Sequence, residues 1–145
     1  MASSAATIPT PAESTESEVS LFRLYFLRAM YLVLVVGLGG MIVPEILSHE
    51  LTSRGVIPSL LGAVWLLAFL GLRYPLAMLP LLMFELAWKL IWLVAYGRPQ
   101  WSSGQYPPTF AEDSFNIGLG VILLLVIPWG FVWRRFVKQP GARWR

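Results

Sequence analysis

Long apolar runs dominate the chain and are separated by short polar segments. A helix needs about 20 consecutive apolar residues to cross a bilayer, and the sequence contains four runs of roughly this length. The runs cover residues 22–43, 56–72, 75–96 and 115–133. The pattern therefore predicts an all-α fold, an integral membrane four-helix bundle, with residues 21–137 as its transmembrane domain.

Polar residues occupy both ends of the chain. Residues 1–20 are rich in Ser, Thr, Ala and Pro and lack the apolar side chains that bury a core, so we expect a disordered N-terminal tail. No basic segment precedes the first apolar run, which predicts that this run acts as an uncleaved signal anchor. Residues 138–145 form a basic C-terminal tail.

Prolines mark the expected ends and bends of the helices. Pro44 is expected to end the first span, because an interior proline removes a backbone hydrogen bond. Pro80 and Pro128 lie inside the third and fourth runs, where they predict kinks. Residues 97–108 contain three prolines and two glycines and are predicted to form a loop. Thr109–Glu112 then fits the spacing of a capping box at a helix start.

The basic residues predict the orientation, because short cytoplasmic loops of membrane proteins are enriched in Lys and Arg. With the N terminus inside, only Arg54 and Arg98 lie outside. Eight basic residues then lie inside: Arg23, Arg28, Arg73, Arg134, Arg135, Lys138, Arg143 and Arg145. Tyrosines and tryptophans fall at both expected interfaces, namely Tyr25, Tyr74, Trp129 and Trp133 inside and Tyr96 and Trp101 outside. We therefore expect a multi-pass inner-membrane protein, N-in/C-in, with both termini cytoplasmic.

Composition excludes several kinds of chemistry. The chain has no cysteine, which excludes disulfides, thiol redox chemistry, thiolate metal sites and covalent haem attachment. His49 is the single histidine, so haem ligation by two histidines of one chain is impossible. The calculated pI near 9.6 reflects a basic end directly after an apolar run, which favours contact with anionic lipid over nucleic-acid binding. We predict no cofactor.

The third apolar run carries two charged residues, Glu85 and Lys89. A charge at membrane depth costs roughly 2.5–3.5 kcal/mol on insertion scales, so both side chains should face protein or a wet cavity. At 100° per residue, the face with Glu85 and Lys89 also holds Met78, Leu81, Trp88, Trp92 and Tyr96. The opposite face, expected to contact lipid, holds Leu76, Leu79, Met83, Ala87, Leu90, Ile91 and Val94.

Two pairings of these charges are open. Glu85 and Lys89 stand at i,i+4 with the acid first, the favourable order for an ion pair within one helix. Alternatively, Arg28 of the first span contacts Glu85, and the long Lys89 side chain extends toward Glu45. The function of the face is equally open, between an ion pair that fixes helix rotation and a proton or cation path or polar substrate pocket lined by Trp88 and Trp92.

A weaker candidate site follows Pro44. Glu45 and His49 share a face if this segment is helical, and Glu50 lies next to them. Together with Glu112 and Asp113, which are expected on the same outer side, these side chains could bind a divalent metal ion. The competing interpretation is that a lone histidine in a polar loop is simply solvated.

Several segments resemble a family of small bacterial inner-membrane proteins. The segments are LRYPL at 72–76, MLPLL at 78–82, FELAWKLIW at 84–92, IPW at 127–129 and PGARWR at 140–145. The resemblance implies a four-helix membrane fold and assigns no activity. In size and number of spans the chain is also similar, more loosely, to DoxX-like four-helix proteins.

Three functional classes follow from these features. We expect a non-enzymatic accessory or structural subunit, whose partner is another membrane protein or a second copy of the chain. The alternative is a small transporter or an ion or proton pathway that uses Glu85 and Lys89. A membrane enzyme built on Glu45, His49 and Glu50 is least favoured, because no paired general acid and base occurs at a plausible spacing.

Overall fold

The computed structural model describes residues 19–48 and 55–139, which form five helices. The helices are α1 (Leu21–Ser48), α2 (Val56–Arg73), α3 (Leu79–Ser103), α4 (Phe110–Val126) and α5 (Trp129–Lys138). The described residues contain no strand, so the all-α prediction is confirmed. Most of the predicted N-terminal tail, and residues 140–145 of the basic tail, lie outside the described residues.

Three helices are long and apolar enough to cross a membrane. These are α1, α2 and α3, with mean hydropathies of 2.1, 1.9 and 1.5 over their most apolar stretches. The successive helices α4 and α5 would together make a fourth crossing, although they meet at an angle of 71°. By length and composition, the chain is a multi-pass membrane protein.

Helix α1 runs through Pro44 to Ser48, so the predicted end at Pro44 is wrong. The proline removes only the hydrogen bond that its own N–H would have donated to the carbonyl of Gly40, and membrane helices tolerate such a loss. In the last turn, the Ser48 hydroxyl donates to the Glu45 carbonyl at 2.7 Å.

The connection between α2 and α3 explains why Pro80 does not kink a helix. Tyr74 precedes Pro75, which disfavours helical backbone angles, and its ψ of 66° ends α2. A turn follows, and α3 begins at Leu79, so Pro80 lies in the first helical turn, where no N–H is required. The buried hydroxyl of Tyr31 donates to the Pro75 carbonyl at 3.2 Å and ties this turn to α1.

Helix α3 is longer than the sequence predicted. A π-helical turn over Leu93–Gly97 lets a new α-helical segment begin at Arg98, which places Pro99 in a first turn again. The helix therefore passes the expected end at Tyr96 and stops at Gly104, whose φ of 68° is the left-handed conformation that ends many helices. Only the last part of the predicted loop 97–108 is non-helical.

Helix α4 begins after Thr109, as predicted, but without a capping box. The Thr109 hydroxyl makes no hydrogen bond to the backbone and donates instead to the Asp113 carboxylate at 3.0 Å. The predicted position of the helix start is thus correct, while the predicted capping hydrogen bond from Thr109 to the backbone does not form.

The kink predicted at Pro128 is confirmed and is sharper than expected, since it breaks the predicted span 115–133. Two carbonyls near the end of α4 have side-chain donors. The Trp129 indole N–H donates to the Leu124 carbonyl at 2.8 Å, and the Arg23 guanidinium of α1 donates to the Leu125 carbonyl at 3.5 Å. These bonds replace backbone donors that the break removes.

The most extensive helix contact joins α1 with α2. Glycines allow close approach at three levels of this pair. A Cβ atom on Gly39 would lie 2.6 Å from Nε1 of Trp65, one on Gly62 would lie 3.2 Å from Ile46, and one on Gly71 would overlap the ring of Tyr31. The Trp65 indole also donates to the Val35 carbonyl at 2.8 Å. Small residues therefore join these helices, as expected for membrane packing.

The other contacts are thinner, and the core is confined to one half of the molecule. Helix α3 packs mainly on α4, whereas α1 with α4 and α2 with α3 touch sparsely. The core lies where α1 and α3 begin and where α2 and α4 end; we call this the closed half. Its largest fully buried apolar side chains include Leu27, Tyr31, Leu79, Leu82 and Ile127. The opposite half is less tightly packed and contains a cavity.

Candidate functional site

Glu85 and Lys89 are the buried charged residues of the described chain, with exposed fractions of 2% and 6%. The Lys89 Nζ atom lies 2.7 Å from Oε2 of Glu85, and both side chains come from α3. The structure therefore contains the first of the two predicted pairings, the ion pair within one helix. The short contact is typical of a charge-assisted hydrogen bond.

Trp88 completes this cluster from the same helical turn. Its indole N–H donates to the same Glu85 Oε2 atom at 3.0 Å. The ammonium of Lys89 also lies 4.1 Å from the centroid of the Trp88 ring, within range of a cation–π interaction. We call Glu85, Trp88 and Lys89 the α3 triad. Within it, the carboxylate contacts two donors and the ammonium contacts both a carboxylate and an aromatic face.

Gly120 of α4 allows the neighbouring helix to cover the triad. A Cβ atom at this position would lie 3.1 Å from Cδ of Lys89 and 3.6 Å from its Cβ. The absence of a side chain brings the α4 backbone against the aliphatic part of Lys89 and shields it from lipid. Gly120 is thus a site residue that the sequence interpretation missed.

One atom of the triad is left without a partner. Oε1 of Glu85 is buried and has no hydrogen bond to any of the described residues. A buried acceptor that is left unsatisfied typically costs about 1–3 kcal/mol. Both donors of the triad converge on Oε2, and Oε1 is enclosed by the protein without a hydrogen bond.

A cavity of about 790 Å³ reaches the triad. This volume falls in the range of about 300–1,000 Å³ that is usual for small-molecule sites. The wall is mainly apolar and comes from α1, α3 and α4, with Leu61 from α2. The apolar and glycine residues of the wall besides Leu61 are Val33, Leu34, Gly37, Leu38, Met41, Ala111, Phe115 and Leu119.

The cavity is closed at the end where the triad lies and open at the side. Glu85 and Lys89 are its most deeply buried lining residues, and beyond them lies the packed closed half. The wall residues Val33 and Met41 of α1 and Phe115 of α4 are 45%, 64% and 71% exposed. The cavity is therefore open to the surroundings on the side of α1 and α4.

A polar stripe on α4 leads to the triad. Glu112, Asn116 and Gly120 stand four residues apart, and the first two line the cavity while the third contacts Lys89. This i,i+4 spacing is visible in the sequence and could have identified the cavity side of α4. Gly37 of α1 also lines the cavity, and no polar residue spacing in the sequence indicates this.

The predicted contact between α1 and α3 does not form. Arg28 lies over the ring of Tyr25 on its own helix, with 5.7 Å between the guanidinium carbon and the ring centroid. Glu45 is exposed near the end of α1, and Lys89 is paired with Glu85. Helix α1 packs mainly on α2, and the cavity lies between α1 and α3, which explains the failure of the ladder.

Trp92 also lies apart from the triad. Its ring packs over Gly97 in the π-helical turn, where a Cβ atom would be 2.8 Å from the ring. Of the polar face predicted from Arg28, Glu85, Trp88, Lys89 and Trp92, the structure therefore brings together the three central residues.

The predicted division of α3 into two faces is correct in part. Leu90, Ile91 and Val94 are exposed, as expected for lipid contact. Leu76 and Leu79 were placed on the same face but are buried, with exposed fractions of 8% and 0%. The helix begins only at Leu79, so helical periodicity does not apply to Leu76. The buried face is also rotated toward two further leucines, Leu82 and Leu86.

The candidate metal site stays a prediction. Glu45 is exposed in the last turn of α1, while His49 and Glu50 lie outside the described residues. Within residues 19–48 and 55–139, no three His, Cys, Asp or Glu side chains are grouped so that they could hold a metal ion.

Comparison with known proteins gives no relative from which a function could be transferred. The chain matches no protein-family model, no curated protein and no solved structure. The α3 triad and the cavity that it lines are therefore the features from which a function can be inferred.

Proposed function

We propose that this chain is a non-enzymatic accessory subunit of the bacterial inner membrane, as the resemblance to small four-helix inner-membrane proteins implies. Its partner is another membrane protein or a second copy of the chain. The observation that carries the proposal is the self-contained Glu85–Lys89 pair, at 2.7 Å. Opposite charges that neutralise each other within one helical turn fix the depth and rotation of α3.

The packing on the far side of the pair supports a structural role. Leu27, Leu82 and Ile127 fill the closed half and are fully buried. The triad thus lies at the end of a one-sided cavity. Beyond it, the described residues of the closed half include no further buried charged side chain, and the Tyr31 hydroxyl there donates to the Pro75 carbonyl.

We further propose four membrane crossings with both termini in the cytoplasm. The 17 residues of α4 extend over about 26 Å, close to the thickness of the hydrocarbon core. The hydrogen bond from Arg23 to the Leu125 carbonyl joins the beginning of α1 to the end of α4. This contact supports a common membrane side for the two ends, and the excess of basic residues at that side supports its assignment to the cytoplasm.

Helix α5 is proposed to lie on the inner leaflet and to bind anionic lipid. It turns by 71° from α4, buries Phe131 and Val132, and exposes Trp133 and Phe136. Basic side chains follow in the same helix and in the tail. Apolar anchors beside basic residues are typical of helices that rest in a membrane interface.

Cross-linking in native membranes tests the accessory role. The full-length protein is cross-linked through lysine and acidic side chains and extracted in mild detergent. Native mass spectrometry then measures the mass of the intact complex. We expect one complex of fixed stoichiometry, which also persists without the cross-linker. A monomer in both samples would contradict the proposal.

A specific observation favours the second candidate, a proton or cation pathway. Glu85 lines the cavity, and its buried Oε1 atom has no hydrogen-bond partner among the described residues, so this oxygen could hold a proton. Proton flux into liposomes that contain the purified protein separates the two candidates. The accessory role predicts flux equal to that of protein-free liposomes, whereas flux that is lost in Glu85→Gln would establish the pathway.

A further inference from the structure

We propose that the cavity between α1, α3 and α4 binds an amphiphilic amine, a molecule with an apolar body and one protonated amino group. The ammonium group lies at Glu112 and Asn116 of α4, and the apolar body lies along the leucines of the cavity wall. The proposal does not depend on the accessory role, because the cavity and its lining residues belong to a single chain.

The first argument is the charge of the cavity wall. The charged lining residues are Glu85, Lys89 and Glu112. Glu85 and Lys89 neutralise each other, with 2.7 Å between Nζ and Oε2. Glu112 is exposed and forms no ion pair with any described residue. The wall therefore carries one net negative charge, which favours a ligand with one positive charge.

The second argument concerns hydrogen bonding at this charge. Asn116 lies one helical turn from Glu112, lines the cavity and is half-buried. Its amide makes no hydrogen bond within the described chain, yet it is not enclosed by protein as Oε1 of Glu85 is. The Glu112 carboxylate and the Asn116 amide oxygen both accept hydrogen bonds. A protonated amine has enough N–H donors to bind both, whereas a quaternary ammonium group has none.

The third argument is the distance from the other cation of the site. Gly120, which contacts Lys89, follows Glu112 by eight residues of the same helix. At 1.5 Å per residue, the two levels are about 12 Å apart along α4. An ammonium group at Glu112 is therefore remote from the Lys89 ammonium, whose charge Glu85 already neutralises. The buried ion pair does not oppose a ligand cation at the outer part of the cavity.

The fourth argument concerns the body of the ligand. Leu34, Leu38 and Leu119 line the wall together with other apolar residues, and the volume of about 790 Å³ suits a small organic molecule. Glu112 lies in the first turn of α4, at one end of the proposed crossing. An amphiphilic amine in a membrane keeps its charged end at the interface and its apolar body among the lipid chains. It therefore reaches the cavity in the orientation in which it binds.

The chain offers a matched pair of variants for each end of the ligand. Glu112→Gln removes the negative charge of the wall, and Asp113→Asn removes the same charge from the next residue, which does not line the cavity and accepts from Thr109. A Cβ atom at Gly37 or at Gly40 meets nothing within 4 Å, but only Gly37 is a lining residue. Gly37→Leu should therefore fill the cavity, whereas Gly40→Leu adds the same side chain outside it.

Photolabelling tests the proposal on full-length protein in phosphatidylcholine nanodiscs. The probe is a decylamine with a diazirine in its chain, and peptide mass spectrometry gives the labelled residues and the half-saturating concentration. Each probe is compared between variants, so that its partition into the lipid cancels. We expect a half-saturating amine concentration about tenfold higher in Glu112→Gln, equivalent to about 1.4 kcal/mol, and an unchanged one in Asp113→Asn. Gly37→Leu should abolish labelling of the cavity wall, and Gly40→Leu should retain it.

Two analogues of the probe test the head group. The alcohol carries no charge and should label the wild type and Glu112→Gln equally. Asn116→Leu should weaken binding of the amine severalfold and leave that of the trimethylammonium analogue, which has no N–H donor, unchanged.

Several results would overturn the proposal. One is an equal half-saturating amine concentration in the wild type and Glu112→Gln. Another is an equal loss in Asp113→Asn, which would indicate attraction to surface charge alone. Full labelling of the cavity wall in Gly37→Leu would exclude the cavity as the binding site. A native dimer that excludes the amine would assign the cavity to a second copy of the chain.

Discussion

At the scale of single residues, the spacing of charged positions is informative where the interaction is local. Glu85 and Lys89 stand four residues apart, and the predicted pair forms with Nζ and Oε2 2.7 Å apart. Arg28 was a plausible partner in sequence, yet it lies on a helix that packs elsewhere. Trp92 was predicted to lie on the same face, but its ring packs against Gly97 in the π-helical turn. Contacts that depend on tertiary packing were therefore not predictable from helical periodicity.

Gly71 should be intolerant of even a methyl group. A Cβ atom there would overlap the Tyr31 ring, which is fully buried and held by its hydrogen bond to Pro75. We expect Gly71→Ala to lower the free energy of unfolding in detergent by about 1–3 kcal/mol, the usual cost of overpacking. The measurement is a denaturant titration followed by circular dichroism.

Gly40→Ala is the control for Gly71→Ala. Its Cβ atom meets open space, and alanine favours a helix over glycine by up to about 1 kcal/mol. Gly40→Ala should therefore unfold at the same or a higher denaturant concentration than the wild type. Equal stability of the two variants would contradict the close packing of α2 on α1.

At the scale of helices, the effect of a proline on the helix could not be predicted reliably from its position in the sequence. Pro44 lies within a continuous helix, whereas Pro80 and Pro99 each lie in a first helical turn. Only Pro128 produces the predicted bend. A proline removes one N–H in every case, but its effect depends on where the helix begins and on which donors are near. Neighbouring helices and aromatic side chains supply these donors, and they are not visible in the local sequence.

Pro128→Ala should partly straighten the connection between α4 and α5. Alanine restores an N–H that can donate to the Leu124 carbonyl, in competition with the Trp129 indole that now occupies it. Spin labels on Ala111→Cys and Val137→Cys would report the distance between the two helices, because the chain has no other cysteine. We expect a longer distance in Pro128→Ala than in the parent or in a Val121→Ala control. An unchanged distance would show that packing of α5 alone sets the bend.

At the scale of the whole molecule, the helices pack tightly in the closed half, and the opposite half contains the cavity. Three of the four apolar runs form helices long enough to cross a membrane, and the fourth corresponds to the bent pair of α4 and α5. The cavity could not be predicted, since it lies between α1, α3 and α4, and no local pattern encodes a gap between helices that are distant in sequence.

Cysteine labelling tests the proposed topology of the molecule. Gln105→Cys lies between α3 and α4, and Gln139→Cys follows α5; both positions are exposed. In spheroplasts, a membrane-impermeant maleimide should label Gln105→Cys directly and Gln139→Cys only after permeabilisation. Direct labelling at both positions would indicate three crossings and would refute the four-span arrangement.

The structural role of the α3 triad is tested most directly by the free energy of unfolding of paired variants. Lys89→Met leaves the Glu85 carboxylate buried without its counter-ion, and we expect a loss of about 3–5 kcal/mol. Combining Lys89→Met with Glu85→Gln removes both charges, and the double variant should return to within about 1 kcal/mol of the wild type. A double variant as unstable as the single one, or a single variant with no loss of stability, would contradict the account of Glu85 and Lys89 as a self-contained pair that holds α3 in place.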